Sequence, residues 1–191
     1  MRSSLLLAVS LAGCFTPPEL DLIDEIPFVG TNACAPGREA RVYQVLDGDT
    51  VDIDGLGDAG ERIRFLGIDA PEIAHEGNPA DCWGNEAGDH LRQLADGRQV
   101  TVTFDEECVD VYGRTLAYVW ISTDDANLDP EDVVQSDDGS VLLNELMLAR
   151  GQARLFDEDW VAPLRLQDRL DAAQAEAKAR GLGLWSACGS E

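Results

Sequence analysis

Lysine is almost absent from this chain. Lys178 is its single lysine, so the 14 basic residues are otherwise arginine, and they face 37 acidic ones for a net charge of -23. A surface of that sign repels polyanions at long range, which counts against nucleic-acid binding through a broad basic patch. Cationic sites must therefore be local, and arginine suits fixed, bidentate contacts with carboxylate or phosphate. No Cys-x-x-Cys pair occurs, so a structural zinc site is not expected. The two histidines, His75 and His90, stand in no metal-ligand spacing with each other and receive no catalytic role. Internal repeats are lacking too. With 191 residues, 45% hydrophobic and 27% charged, the composition is that of one folded domain with short extensions.

The first residues read as an address. A charged start and an apolar run, too short and wrongly flanked to span a bilayer, end in small residues. The segment Leu11-Ala12-Gly13-Cys14 resembles the lipobox of bacterial lipoproteins. That resemblance implies a signal peptide over 1–13, lipidation of Cys14, and an anchor and tether over 14–38; the regular pattern that begins at about Glu39 marks a folded domain over 39–188. The expected location is outside the cytoplasm, on a bacterial membrane in the periplasm or at the cell surface. Such a compartment permits disulfides. Cys34, Cys82, Cys108 and Cys188 allow three pairings, of which Cys82 with Cys108 and Cys34 with Cys188 are favoured here.

Period-two alternation predicts strands over Ala40–Leu46, Thr50–Ile53, Arg62–Leu66, Gln99–Phe104 and Arg114–Ile121. In the third of these, Ile63 and Phe65 share one face while Arg62 and Arg64 share the other. Helices are predicted over Glu86–Ala95, Leu142–Arg150 and Pro163–Arg180, stopped by Gly97, Gly151 and Gly181. Leu166, Leu170, Ala173 and Ala177 form the apolar stripe of the last one. The Asp-rich stretch from Ser122 to Ser140 reads as an exposed loop. Five strands and three helices in this order give an α+β domain, a small barrel of the oligonucleotide/oligosaccharide-binding (OB-fold) kind with helices packed on it.

Three polar segments stand at strand ends: Asp47-Gly48-Asp49-Thr50-Val51, Arg64 through Glu72, and Asp110 through Tyr118. They supply two carboxylates, Asp49 and Asp69, for a hard divalent cation, a third, Glu72, able to deprotonate water, and two arginines, Arg64 and Arg114, able to grip an oxyanion. Phosphodiester hydrolysis needs those parts together.

In order and spacing the three segments resemble the staphylococcal-nuclease-like (thermonuclease) family, and the likeness runs from about Ala40 to Trp185. Asn144-Glu145, Gly151-Gln152-Ala153-Arg154 and the terminal Gly-Leu-Gly-Leu-Trp belong to it as well. The resemblance implies a calcium-dependent endonuclease acting on DNA and RNA with little sequence preference, as a monomer. It also implies Asp49 and Asp69 as calcium carboxylates, Glu72 as general base, and Arg64 and Arg114 as phosphate-binding arginines. Ala70 stands where the family has a threonine; its backbone carbonyl remains available as a metal ligand.

The acidic surface is the departure from that family. Either a local site containing Arg62, Arg64, Arg114 and Arg154 overrides a distant field screened over about 8 Å at physiological salt, or the fold is a non-catalytic binding module on the cell envelope. Tyr112 and Tyr118 are read as barrel-packing residues rather than base-stacking ones, and Trp160 as a weak candidate for stacking.

Overall fold

The computed structural model describes residues 36–55, 60–75, 77–124, 128, 139–156 and 164–189. Cys14, Cys34, Trp160, Pro163 and most of the acidic loop lie outside them. In chain order the elements are β1 (Arg38–Val45), β2 (Thr50–Ile53), β3 (Glu61–Phe65), β4 (Ile68–Asp69), α1 (Gly84–Ala95), β5 (Gln99–Thr103), β6 (Thr115–Ser122), β7 (Ser140–Leu142), α2 (Leu143–Ala149), β8 (Arg154–Leu155), α3 (Gln167–Arg180) and α4 (Leu184–Ala187).

β1, β2 and β3 form an antiparallel meander, β5 pairs with β1 and β6, and β6 lies parallel to β3. This last pairing closes a five-stranded barrel, removing the open edges that an isolated sheet would leave. The alternation of the strands becomes inside and outside: Val42, Val51, Ile53, Ile63, Phe65, Val102, Ala117 and Val119 are buried. β7 extends the sheet beyond β6 and closes the base of the acidic loop, where Thr123 donates its backbone N–H to the Gly139 carbonyl at 2.9 Å.

The helices cover the barrel with the faces that their spacing predicts. α1 buries Ala87, Leu91, Leu94 and Ala95; α3 buries Leu170, Ala173 and Ala177, with Leu166 just ahead of it. Gly97, Gly151 and Gly181 carry φ of 71°, 63° and 63°, the left-handed conformation of a helix stop. Asn144, fully buried in α2, donates through Nδ2 to the carbonyls of Leu66 and Ala117 and accepts the Val119 N–H, so one amide pins the helix to the barrel wall. Tyr118 is packed inside, its hydroxyl donating to Asp105 at 2.7 Å.

Besides β7, which stands where a loop end and a helix start were expected, the structure differs from the sequence reading in four places. β4 and β8 form a separate two-stranded ribbon, each too short for periodicity to register. α3 begins at Gln167, and a fourth short helix follows it. Tyr112 is 82% exposed, because it lies in the turn before β6 rather than in the barrel. Finally, the disulfide is Cys82–Cys188, with a Cα–Cα distance of 5.8 Å, and not the pairing of Cys82 with Cys108 or Cys34 with Cys188. The reason is tertiary. Gly151 and Gly183 meet backbone to backbone, Leu184 donates its N–H to the Gly151 carbonyl, and the chain end is thereby carried back to the turn before α1. Cys108 is disulfide-bonded too, but it is held at the start of β6 through its carbonyl and the Leu116 N–H, away from that turn.

Candidate active site

Arg64, on β3, is the centre of the arrangement. Its neighbours Ile63 and Phe65 point into the core, so its own side chain leaves the barrel beside the β1–β2 turn. Nη1 lies 2.9 Å from Asp49 Oδ2 and Nη2 lies 2.8 Å from Asp69 Oδ1; Nη1 also donates to the Ile68 carbonyl at 2.7 Å. A single guanidinium thus joins two carboxylates that are 20 residues apart in sequence.

Asp49 is 4% exposed and accepts the Ala70 N–H at 2.6 Å and the Thr50 hydroxyl at 2.9 Å. Burial pushes its carboxyl up to about 8, against the pull of Arg64, with the negative charge of Asp47 adding to the rise. Asp47 plays a shaping part instead: its Oδ1 accepts the Asp49 N–H at 2.9 Å and turns the chain. Between them Gly48 packs so closely that a β-carbon there would stand 2.7 Å from the Ala70 β-carbon and 2.9 Å from that of Ala87. The Asp47–Asp49 turn and the Asp69–Pro71 segment can approach only because this residue has no side chain.

Glu72 lines a cavity of about 480 Å³ together with Asp69, Ala70, Asp81 and Arg154, with the Cys82–Cys188 disulfide at its rim. Its carboxyl is raised above the ordinary value, first by partial burial and then by the charges of Asp47 and Asp69, while His75 and Arg64 oppose the rise. The backbone of Glu72 is fixed from the α1 side. Asp81 donates its N–H to the Glu72 carbonyl at 2.9 Å, and Gly84 donates to the Asp81 carbonyl at 3.0 Å.

Asp49, from the first polar segment, and Arg64, Asp69, Ala70 and Glu72, from the second, are therefore brought together. Arg114 is held by its own turn. Its Nε donates to Asp110 Oδ2 at 2.6 Å, its guanidinium lies 5.4 Å from the Tyr112 ring centroid, and it does not line the cavity. Asp110 is lowered in turn: burial alone would raise it, but the side-chain and backbone hydrogen bonds from Arg114 and the Tyr112 N–H outweigh that. Arg62 is likewise engaged, gripping both Asp52 oxygens at 2.7 and 2.9 Å. Asp81 escaped sequence reasoning as a site residue, and Cys82 and Cys188 were expected in disulfides but not beside the cavity, because nothing local marks any of the three as a neighbour of Glu72.

Residues 62–187 match the family of staphylococcal nuclease homologues. The chain belongs to that family. It is 30% identical over 146 residues to a thermonuclease of Staphylococcus hyicus, covering 76% of this chain and 75% of that protein. It is 29% identical over 159 residues to a thermonuclease of Staphylococcus intermedius, with 83% of each covered. An uncharacterized endonuclease of Escherichia coli O157:H7 is 32% identical over 146 residues, 76% of each chain. Membership of this family, with nuclease relatives over most of its length, supports nuclease activity in general. The five-stranded barrel agrees with that placement.

Proposed function

We propose that this protein is a calcium-dependent endonuclease that hydrolyses the phosphodiester bonds of DNA and RNA with little sequence specificity. One observation carries the reading: Arg64 holds Asp49 and Asp69 within 3 Å of its two terminal nitrogens, next to a cavity lined by Glu72.

The donor set fits a hard cation. Asp49 is a carboxylate whose charge is disfavoured by burial and would be stabilised by a divalent ion beside it. Among the described residues no three His, Cys, Asp or Glu side chains form a metal cluster by themselves. The ion would accordingly be held by Asp49, Asp69 and the Ala70 carbonyl, with water filling further positions, as calcium tolerates. When bound, it supplies screening of the phosphate charge and orientation of the attacking water.

The protein's own groups do the rest. Glu72, in its ionised form, accepts the proton of the attacking water; its raised carboxyl brings it nearer to the working pH of a general base. Arg64 donates to a non-bridging phosphate oxygen whose negative charge grows as the bond to water forms. Arg114 would add a second fork of donors once its guanidinium turns from Asp110 to the substrate. Because the cations are local and arginine-based, the acidic surface weakens substrate capture without removing the chemistry.

Digestion of single- and double-stranded DNA with calcium, with chelator, and with the Glu72→Gln variant tests this. Cleavage that requires calcium and collapses in the variant is expected. Binding of nucleic acid or of an envelope component with no metal-dependent cleavage would instead make the fold a non-catalytic binding module.

We further infer an exported protein, anchored by lipid on Cys14 and acting as a monomer. The Cys82–Cys188 disulfide supports an oxidising compartment. Incorporation of labelled fatty acid that is lost in Cys14→Ser is the expected result, and equal labelling of both proteins would remove the anchor.

A further inference from the structure

We propose that Arg154 is a substrate-binding residue that holds a second phosphate of the nucleic-acid strand, next to the one being cleaved. This rests on the nuclease reading above and names the part of its substrate that the cavity selects.

Arg154 and Asp69 are register partners across the ribbon of β4 and β8, so their side chains rise on the same face. An ion pair between them would be the ordinary outcome, yet none forms. Asp69 gives Oδ1 to Arg64, while the Arg154 guanidinium lies over the Trp185 ring, 5.5 Å from its centroid. Among the described residues Arg154 has no carboxylate within ion-pair distance, in a chain where acidic groups outnumber basic ones by more than two to one. Its Nε is buried and has no hydrogen-bond partner. A buried donor left unmatched is costly, and one at the edge of a cavity is free to meet a water or an incoming acceptor.

The substrate of the proposed reaction says which ligand. Among the described residues, Arg154 is the one basic residue lining a cavity whose other charged lining residues are Asp69, Glu72 and Asp81, and the cavity, at about 480 Å³, is larger than one phosphate group needs. The three carboxylates by themselves disfavour an anion, and a divalent ion held by Asp69 and the Ala70 carbonyl would offset part of that charge, leaving Arg154 as the donor fork that an anionic group meets. A phosphodiester strand, whose scissile phosphate is brought to Asp49, Asp69 and Arg64, has its next phosphate one nucleotide away and needs a fork of donors to receive it. The Trp185 ring lies against that guanidinium, and Lys178 Nζ, 4.5 Å from the same ring centroid, adds positive charge nearby. Arg154 is placed by short β8 directly after Gly151-Gln152-Ala153, and Trp83 fixes Gln152 with a 2.8 Å hydrogen bond from Nε1, so the fork is carried on a braced backbone.

The test compares a dinucleotide containing one phosphodiester with the same dinucleotide carrying an added terminal phosphate on either side. In calcium, the wild-type protein is expected to favour one of the phosphorylated substrates by at least tenfold in kcat/KM. Arg154→Gln and Arg154→Met, the latter keeping the bulk over Trp185, are expected to bring that ratio near one, and Arg154→Lys to restore part of it. A ratio unchanged in the variants, including an equal loss on all substrates, overturns the proposal. Binding of a nucleoside 3′,5′-bisphosphate in chelator, followed by calorimetry, reads Arg154 without the reaction. Binding at least tenfold weaker in Arg154→Gln than in the wild type supports the proposal, and equal or absent binding overturns it. Absence of any calcium-dependent cleavage, with this binding difference intact, would instead sink the nuclease reading alone.

Discussion

Gly84, at the start of α1, lies against the backbone of Glu72 so closely that a β-carbon there would stand 2.1 Å from the Glu72 carbonyl oxygen. The first residue of a helix thus sets the depth at which the proposed general base sits. Gly84→Ala must displace the Glu72 backbone, because the obstacle is a carbonyl group and not a flexible side chain. The expected outcome is a fall in kcat of tenfold or more, with an overpacking cost of about 1–3 kcal/mol in urea unfolding. A variant with unchanged kcat would show that the position of Glu72 is not critical.

Asp49 makes stability depend on pH and metal in a specific direction. Its folded value, about 8, is above the ordinary carboxylate value, so the native state holds the proton more tightly than the unfolded chain does. The contribution is therefore present below about pH 4 and lost as pH rises toward 8. In chelator, Asp49→Asn should become progressively more stable relative to the wild type between pH 5 and pH 8, read as the difference in Tm. Calcium should raise the Tm of the wild type at pH 8 and leave that of the variant nearly unchanged.

The raised Glu72 carboxyl gives activity an acid limb. Only the ionised group accepts a proton, so kcat should fall as pH drops, with a midpoint above 4.5, the ordinary glutamate value. Glu72→Gln should lower kcat by about two to four orders of magnitude. Calcium binding, followed by calorimetry, should persist in that variant.

Reduction of Cys82–Cys188 should cost both stability and rate. The bridge closes a loop spanning 106 positions, and losing such a bridge typically removes about 2–5 kcal/mol. Cys82 follows Asp81, whose N–H holds the Glu72 carbonyl, so release of the chain end also loosens the loop that carries the base. The Cys188→Ser variant should show a lowered Tm and a lowered kcat. An unchanged kcat would make the bridge purely structural.

Breaking the Arg64 bridge is expected to be severe. Arg64→Gln leaves Asp49 buried without its counter-charge, a change that costs about 3–5 kcal/mol in comparable buried pairs. The loss, measured by urea unfolding in chelator, should be smaller at pH 5 than at pH 8, because protonation of Asp49 relieves the unpaired charge.

Much of this architecture was legible in the chain. Strands alternate because one face must enter the barrel, so Ile63 and Phe65 announced the core and Arg64 the opposite face. The apolar stripe from Leu166 to Ala177 and the helix-stopping glycines are local consequences of helical period and backbone conformation. Asp49, Asp69 and Glu72 stood out only as parts of a constellation with Arg64 and Arg114, whose order and spacing resemble the thermonuclease family; alone, the Asp47–Asp49 pair reads as an acidic hairpin turn.

The remainder depended on which distant residues meet. Arg114 and Arg62 are alike in sequence to Arg64, yet Asp110 and Asp52 take them up, and only the folded arrangement assigns partners among so many carboxylates. The pairing of Cys82 with Cys188 required the contact between Gly151 and Gly183, a packing event between helix ends that no periodicity encodes. Ribbons of two residues such as β4 and β8 carry no pattern either, and with them came the placement of Arg154 opposite Asp69. Local physics, period and turn chemistry, is written along the chain; partner choice is a property of three-dimensional neighbours, and it is there that the cavity was made.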